Sequence, residues 1–284
     1  MSHSGILYVV ATPIGNLQDI TLRALEVLRA VDAIAAEDTR HTSHLLAHFA
    51  IHKKLVAVHE HNERKAADAL IARLQAGESV ALVTDAGTPA ISDPGALLVD
   101  AVRTAGLQVV PVPGASAIIA ALSAAGITTA GFHFHGFLPA SGAARRRVLE
   151  ALRASAVTLV FYEAPHRVVA SVEDMAQVLG SARRLTIARE LTKTFETFHR
   201  CALGDAAAWL EQDSNRQRGE FVLLVEPAPI AELAELGDEA CRILESLLAE
   251  LPLKQAVRLA AEISGAKKNA LYRRALELQN GIHE

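Results

Sequence analysis

Residues 80–95 read VALVTDAGTPAISDPG, and this stretch decides the fold. Ser79 to Thr84 is a short apolar run of the kind that forms a buried parallel strand, and it stops at a cluster of small residues and prolines. Asp85, Gly87, Thr88, Pro89, Ser92, Asp93, Pro94 and Gly95 then supply turn formers, hydroxyls and carboxylates. The following LLVDAVRTAG has helical spacing, with Asp93 or Pro94 near its start. An ordinary strand-to-helix connection needs only one Gly or Pro. A loop this rich in them, at the carboxyl end of a parallel strand, reads as a ligand-binding loop.

Working outward, strands and helices alternate through the first half. Ile6 to Ala11 predicts a strand, Thr12-Pro13-Ile14-Gly15-Asn16 a turn, and Leu22, Leu25, Val27, Leu28 and Val31 the apolar face of a helix. Asp32 to Ala36 and Leu55 to Val58 predict two more strands, with a helix over Ala66 to Leu74. Leu107 to Val112 predicts the fifth strand, and Pro113-Gly114-Ala115-Ser116 opens a helix through Ala124. Such β-α repeats dictate a parallel sheet with right-handed crossovers. From Gly131 a second sheet is expected, from strands at Phe132 to Phe137, Val157 to Tyr162, Leu185 to Ala188, Thr194 to Cys201 and Phe221 to Val225. TIARE and ETFHRC follow each other without a helix, so this sheet is mixed or antiparallel. Helices are expected at Ala143 to Ala154 and Arg167 to Leu179. Two α/β domains, 1–125 and 126–228, therefore face each other across a cleft.

A third piece, 236–284, is expected to be a helical module. Helical spacing runs over Cys241 to Leu248, Leu253 to Ile263 and Ala266 to Leu278, with Gly265 between the last two as in a helix-turn-helix. The net charge of −4 is segregated along the chain. Residues 226–250 carry 1 basic and 7 acidic side chains, whereas residues 251–284 carry 6 and 3. Lys254, Arg258, Lys267, Lys268, Arg273 and Arg274 suit a polyanion-facing surface, and Lys267 and Lys268 open the last helix, where backbone amides add to their charge.

Composition bounds the chemistry. The chain has 284 residues, of which 51% are hydrophobic, enough for two α/β cores. The two cysteines, Cys201 and Cys241, lie far apart and form no metal-type pair, which fits a reducing, cytoplasmic setting. MSHSGILYVV has no basic leader, and Ala115 to Ala130 is too short and polar to span a bilayer. There is no G-x-G-x-x-G after the first strand, no Walker loop and no G-x-S-x-G elbow. His59 and His61 in HEHNE alternate along an extended segment but have no third ligand, so no metal is expected.

ATPIGNL (11–17), AEDTRHT (36–42), the central loop, VPGASA (112–117), FYEAPHR (161–167) and ARELTK (188–193), in that order and covering nearly the whole chain, resemble the tetrapyrrole methylase superfamily. Within it the resemblance is to the ribosomal small subunit methyltransferase I branch, which methylates a cytidine 2′-hydroxyl of 16S ribosomal RNA. It implies a class III methyltransferase fold of two α/β domains, S-adenosylmethionine in the cleft, 16S RNA or the 30S subunit as partner, and a homodimer. It carries cofactor contacts to Pro13, Asp85, Gly87, Thr88, Ile91, Ser92, Ala115, Ser116, Tyr162, Glu163, Leu191 and Phe221. GTP at 87–89 stands where many porphyrinoid methylases have GDP, which leaves the acidic contact to Asp85 or removes it.

A ribose hydroxyl is a weak nucleophile and needs a base or hydrogen-bonding carboxylate nearby; Asp38, Glu163 and Glu190 each end a strand facing the expected cleft. Arg40, Arg167 and Lys193 could hold RNA phosphates there, although an ion pair across the cleft would use the same residues. Two other functions share parts of this pattern. A porphyrinoid-type methylase would share the loops but not the basic C-terminal helices, and a non-enzymatic nucleic-acid-binding protein would leave the loops without purpose.

Overall fold

The structure, a computed structural model, describes residues 4–59, 61–129, 131–229 and 237–280. The first sheet consists of β1 (Ile6–Val10), β2 (Ala33–Ala36), β3 (Lys54–Ala57), β4 (Val80–Val83) and β5 (Gln108–Val112), all parallel, in the order β3-β2-β4-β1-β5. The inner strands β2 and β4, AIAA and VALV, are buried along their whole length, because helices cover both faces. α1 (Leu22–Ala30) and α2 (Thr39–His48) pack Ala24, Leu28 and Leu46 on one face with Ile34 and Val83. α3 (Glu63–Gln75) and α4 (Ala96–Thr104) pack Leu70, Leu74, Leu98 and Val102 on the other with Leu7 and Leu82. The neighbours β1 and β4 thus send their outgoing connections over opposite faces, which opens a crevice at their carboxyl ends.

The second sheet holds β6 (Phe132–Phe137), β7 (Thr158–Glu163), β8 (Arg184–Arg189), β9 (Thr197–Ala202) and β10 (Phe221–Val225) in the order β6-β7-β10-β8-β9. Only β6 and β7 are parallel; β10 runs antiparallel between β7 and β8, and β8 and β9 form the expected antiparallel pair. One face packs Leu159, Phe161, Ile187 and Leu223 against α6 (Gly142–Leu152), α7 (Val168–Leu179) and α8 (Leu203–Glu211).

The opposite face is covered from the first half of the chain. α5 (Ala117–Ala124) places Ile118 and Ala121 against Val160, Ala188, Val222 and Leu224. A helix assigned by sequence order to the first domain is therefore a wall of the second. Its sequence, AIIAALSA, is apolar nearly all round, yet only Ile118 and Ala121 are buried and Ile119 stays exposed on the far side.

At the C-terminus, α9 (Asp238–Glu250), α10 (Leu253–Ser264) and α11 (Lys268–Asn280) enclose their own core of Leu244, Val257, Ala260, Leu271 and Ala275. Gly265 caps α10 in the left-handed conformation, φ +69°, where a side chain would be strained. The termini of the expected module, residue 236 and residues 281–284, lie outside the described residues. α2 and α8 were not anticipated. Among the described residues no helix is long and apolar enough to cross a membrane.

Candidate active site

The central loop leaves β4 through the buried Thr84 and is stitched at once to the loop after β1. The Thr12 hydroxyl donates to the Thr84 carbonyl at 3.0 Å, and Thr12 and Gly87 exchange backbone hydrogen bonds at 2.9 and 3.1 Å. Gly87 has φ +83°, a turn that favours glycine, and Ala90 and Ser92 follow in the left-handed region without that excuse. Such residues cost about 1 kcal/mol each and persist where the surroundings dictate the backbone. The far end is fixed by Glu63, a buried residue of α3 whose Oε1 accepts from the amides of Gly95 and Leu98 at 2.9 and 3.0 Å. The last residue of HEHNE thus holds the start of α4; Glu60 lies outside the described residues, and no group of three metal-ligating side chains occurs among the described ones.

Across the crevice the second domain presents a matching loop. Glu190 and Thr192 are both left-handed, with φ +53° and +65°, and between them Leu191 turns into a cavity of about 230 Å³. Gly87, Thr88, Ile91, Ser92, Ser116, Tyr162, Glu163, Leu191 and Phe221, drawn from both domains, line that cavity. Pro13, Asp85 and Ala115 do not line it. Pro13 precedes the lining residue Ile14, Asp85 accepts from the Asp38 amide at 3.1 Å, and the Ala115 carbonyl accepts from the Thr88 hydroxyl at 3.2 Å. These three support the loops.

The charged residues are placed differently from the expectation. Asp38 caps α2, accepting from the Arg40 amide at 2.8 Å and pairing with its guanidinium at 2.8 Å, and its pKa is lowered to about 2, first by that side-chain bond. Glu163 is buried with both oxygens used: Oε1 takes the Ala164 amide and Arg167 Nε, each at 2.8 Å, and Oε2 takes the Ser171 hydroxyl at 2.5 Å. Arg167 is itself mostly buried and also donates to the Leu138 carbonyl. Glu190 is desolvated, yet Lys193 and the Glu220 amide hold it below the usual carboxylate range. Lys193 bridges Glu190 and Glu220 at 2.8 Å each. The expected pairs across the cleft are thus pairs within each domain. Asp38 and Glu190 are held below the usual carboxylate range and both oxygens of Glu163 are occupied, while Arg167 and Lys193 are committed to carboxylates; Arg40, paired with Asp38, is widely exposed.

Sequence reasoning passed over Asp93, Phe137 and Glu220 as lining residues. Phe137 ends β6 and Glu220 precedes β10, positions beside ligand loops that could have been flagged; Asp93 reads in the sequence as one of the central loop's carboxylates and as a helix start, but not among the cofactor contacts. Burial, with Glu37 and Asp85 nearby, raises Asp93 to about 6, and burial and Asp93 raise the Tyr162 phenol to about 12. The lining includes three carboxylates, Asp93, Glu163 and Glu220, and no Lys, Arg or His. Such a wall suits an adenosine-like ligand with a positive centre and disfavours a nucleotide polyphosphate.

In the C-terminal module Lys267 and Lys268 are exposed beside the start of α11, Arg274 is half-buried, and the side chain of Arg273 lies outside the described residues.

Comparison with known proteins agrees with this geometry. Residues 6–207 match the tetrapyrrole (corrin/porphyrin) methylase family, and residues 234–279 match the RsmI C-terminal HTH domain. The chain is 56% identical over 275 residues to a ribosomal RNA small subunit methyltransferase I of Escherichia coli O157:H7, covering 97% of this chain and 96% of the relative. It is likewise 56% identical over 278 residues to that of Pseudomonas aeruginosa, covering 97% and 98%. Among solved structures, diphthine synthase superposes with TM-score 0.61 at 18% identity, over 80% of this chain and 93% of that one. Uroporphyrin-III C-methyltransferase from Thermus thermophilus complexed with S-adenyl homocysteine superposes with TM-score 0.54 at 19% identity, over 78% of this chain and 97% of that one. The chain belongs to the tetrapyrrole methylase family and, within it, to the ribosomal RNA small subunit methyltransferase I group.

Proposed function

We propose that this protein transfers a methyl group from S-adenosylmethionine to the 2′-hydroxyl of a cytidine in 16S ribosomal RNA, acting in the cytoplasm as a homodimer on the RNA or the 30S subunit. The observation that carries the reading is coverage. Uroporphyrin-III C-methyltransferase shares 78% of the chain, whereas the ribosomal RNA methyltransferases share 97%, and the difference is about the size of the C-terminal module. That module is what a small-molecule methylase has no need of.

The residues fit the cofactor. Gly87 lines the cavity with backbone alone, where a Cβ would meet Ile14 at 3.5 Å, Ile91, Leu191 and Phe221 offer apolar surface, Thr88 and Ser116 offer hydroxyls, and the acidic wall complements a sulfonium. Bound there, S-adenosylmethionine supplies an electrophilic methyl group. The chain aligns donor and hydroxyl, excludes water and accepts a proton. Arg40, exposed on α2, and Lys267, Lys268, Arg273 and Arg274 are the candidates for RNA phosphates.

The test is incubation with methyl-labelled cofactor and 30S subunits, naked 16S RNA or a precorrin. Label in ribose is expected. Label in the precorrin alone, or in none of the three, overturns the reading.

A further inference from the structure

Residues 39–58, TRHTSHLLAHFAIHKKLVAV, contain Arg40, Lys53, Lys54 and four of the chain's 12 histidines, and no Asp or Glu. They form α2, the turn after it and β3, which is an edge strand of the first sheet. α2 buries Thr42, Leu45 and Leu46, and its outer face exposes Arg40, Ser43, His44 and His48. Arg40, His44 and His48 stand four residues apart on one stripe, about 6 Å from one to the next along the axis, close to the spacing of successive phosphates on a nucleotide strand. A groove of about 440 Å³ opens beside them, lined by Thr39, Arg40, Ser43 and His44 with Leu55 of β3: one guanidinium, one imidazole and two hydroxyls without a carboxylate. Asp38 fixes the Arg40 guanidinium through Nε and Nη2, and that side chain is still 88% exposed. No large apolar side chain of 39–58 is exposed, so the face lacks the anchor that a protein partner would bury.

The central loop ties this face to the cavity. Asp38, one residue before α2, gives its amide to Asp85 Oδ1 at 3.1 Å, so α2 starts against the loop whose next residues line the cavity. A ribose entering there brings a phosphate on either side, and the lining holds three carboxylates and no Lys, Arg or His. The phosphates must therefore lie outside the cavity, on a surface that has cations to give. Arg167 and Lys193 are engaged by Glu163, Glu190 and Glu220.

We infer that the outer face of α2 and the start of β3 carry the RNA backbone next to the target nucleotide, along a track from Arg40 past His44 and His48 to Lys54. This rests on the function proposed above and extends it from one arginine to a second RNA surface, separate from the C-terminal module. Arg40 meets the phosphate nearest the cavity, Ser43 and His44 add hydrogen bonds, and Lys54 supplies a further charge. Contacts of this kind set the position of the strand and carry no base sequence.

The test is His44→Glu with Lys54→Glu in the full chain, two exposed positions that do not line the interdomain cavity. Methylation of 30S subunits, S-adenosylmethionine calorimetry and affinity for 16S RNA across a salt series are compared with wild type. The variant should raise the KM for RNA about tenfold, keep kcat and cofactor affinity within about twofold, and flatten the logarithmic salt dependence by about one for the contact of Lys54. Lys54→Arg should keep the wild-type values, because a guanidinium holds a phosphate equally well. A photocrosslinking amino acid in place of Lys54 should label 16S RNA in the 30S complex. Unchanged KM with parallel salt slopes overturns the inference, and so does an equal loss in Arg103→Glu with Arg184→Glu, on α4 and in β8, which would make the effect one of net charge. Crosslinks to a ribosomal protein in place of RNA overturn it as well, making the face a protein-docking surface. If the double variant does not fold, Lys54→Glu alone is judged by the same outcomes. No ribose label from wild type fails the functional reading itself, an outcome distinct from an active wild type whose variant binds RNA normally.

Discussion

The loop after β4 and the loops after β7 and β8 face the same cavity with opposite electrostatic habits. On the first side Asp85 and Asp93 are desolvated and have no salt bridge among the described residues, and both are raised above their ordinary range. On the second, Glu163 is closed by Arg167 and Ser171, and Glu190 by Lys193. Carboxylates at strand ends look alike in a sequence; what separates them is whether a cation is reachable three or four residues on. Arg167 is i+4 from Glu163 and Lys193 is i+3 from Glu190, so these acids are neutralised locally and serve as clamps. Asp93 is followed by Pro94, Gly95 and apolar residues, which supply no such cation.

Removing the clamp gives the largest effect expected. Glu163→Ala leaves a mostly buried Arg167 uncompensated, which costs about 3–5 kcal/mol; denaturant unfolding measures it, and a loss under 1 kcal/mol would erase the distinction between the two sides. Glu63→Ala should cost about 2 kcal/mol, because two amides at the start of α4 lose a buried acceptor. It should also raise the cofactor dissociation constant by loosening the central loop, whereas Glu163→Gln should chiefly lower stability. The smallest effect tests the tail. Lys267→Glu with Lys268→Glu should lower RNA affinity and flatten its logarithmic salt dependence by about one for each lost phosphate contact, with cofactor binding unchanged. Parallel salt slopes for wild type and variant would make those lysines bystanders.

The parallel half was legible because β-α periodicity is local, and the hairpin of β8 and β9 because no helix intervenes. α2 escaped notice: TRHTSHLLAH carries few apolar residues, and it is anchored by Asp38 at its cap and Leu45 and Leu46 beneath. α8, a single short amphipathic turn pair after β9, was absorbed into what looked like loop. Family motifs placed the cavity lining well. They could not show that Glu63 reaches a segment 32 residues later, or that the Thr84 hydroxyl donates to Glu37, 47 residues earlier. Such long-range hydrogen bonds leave no period in a sequence.

The position of α5 determines which parts of this chain can be exchanged. With Ile118 and Ala121 seated on Val160, Val222 and Leu224, cutting the chain after residue 125 strands the second sheet with an uncovered apolar face and the first half with a greasy tail. The two α/β halves therefore share a buried core that a boundary at residue 125 would divide. The helices from Asp238 onward, with Leu244, Val257 and Leu271 packed on one another, carry their own core and form the replaceable cartridge. Among the described residues, a boundary before Asp238 divides none of the buried cores, whereas one after residue 125 divides one.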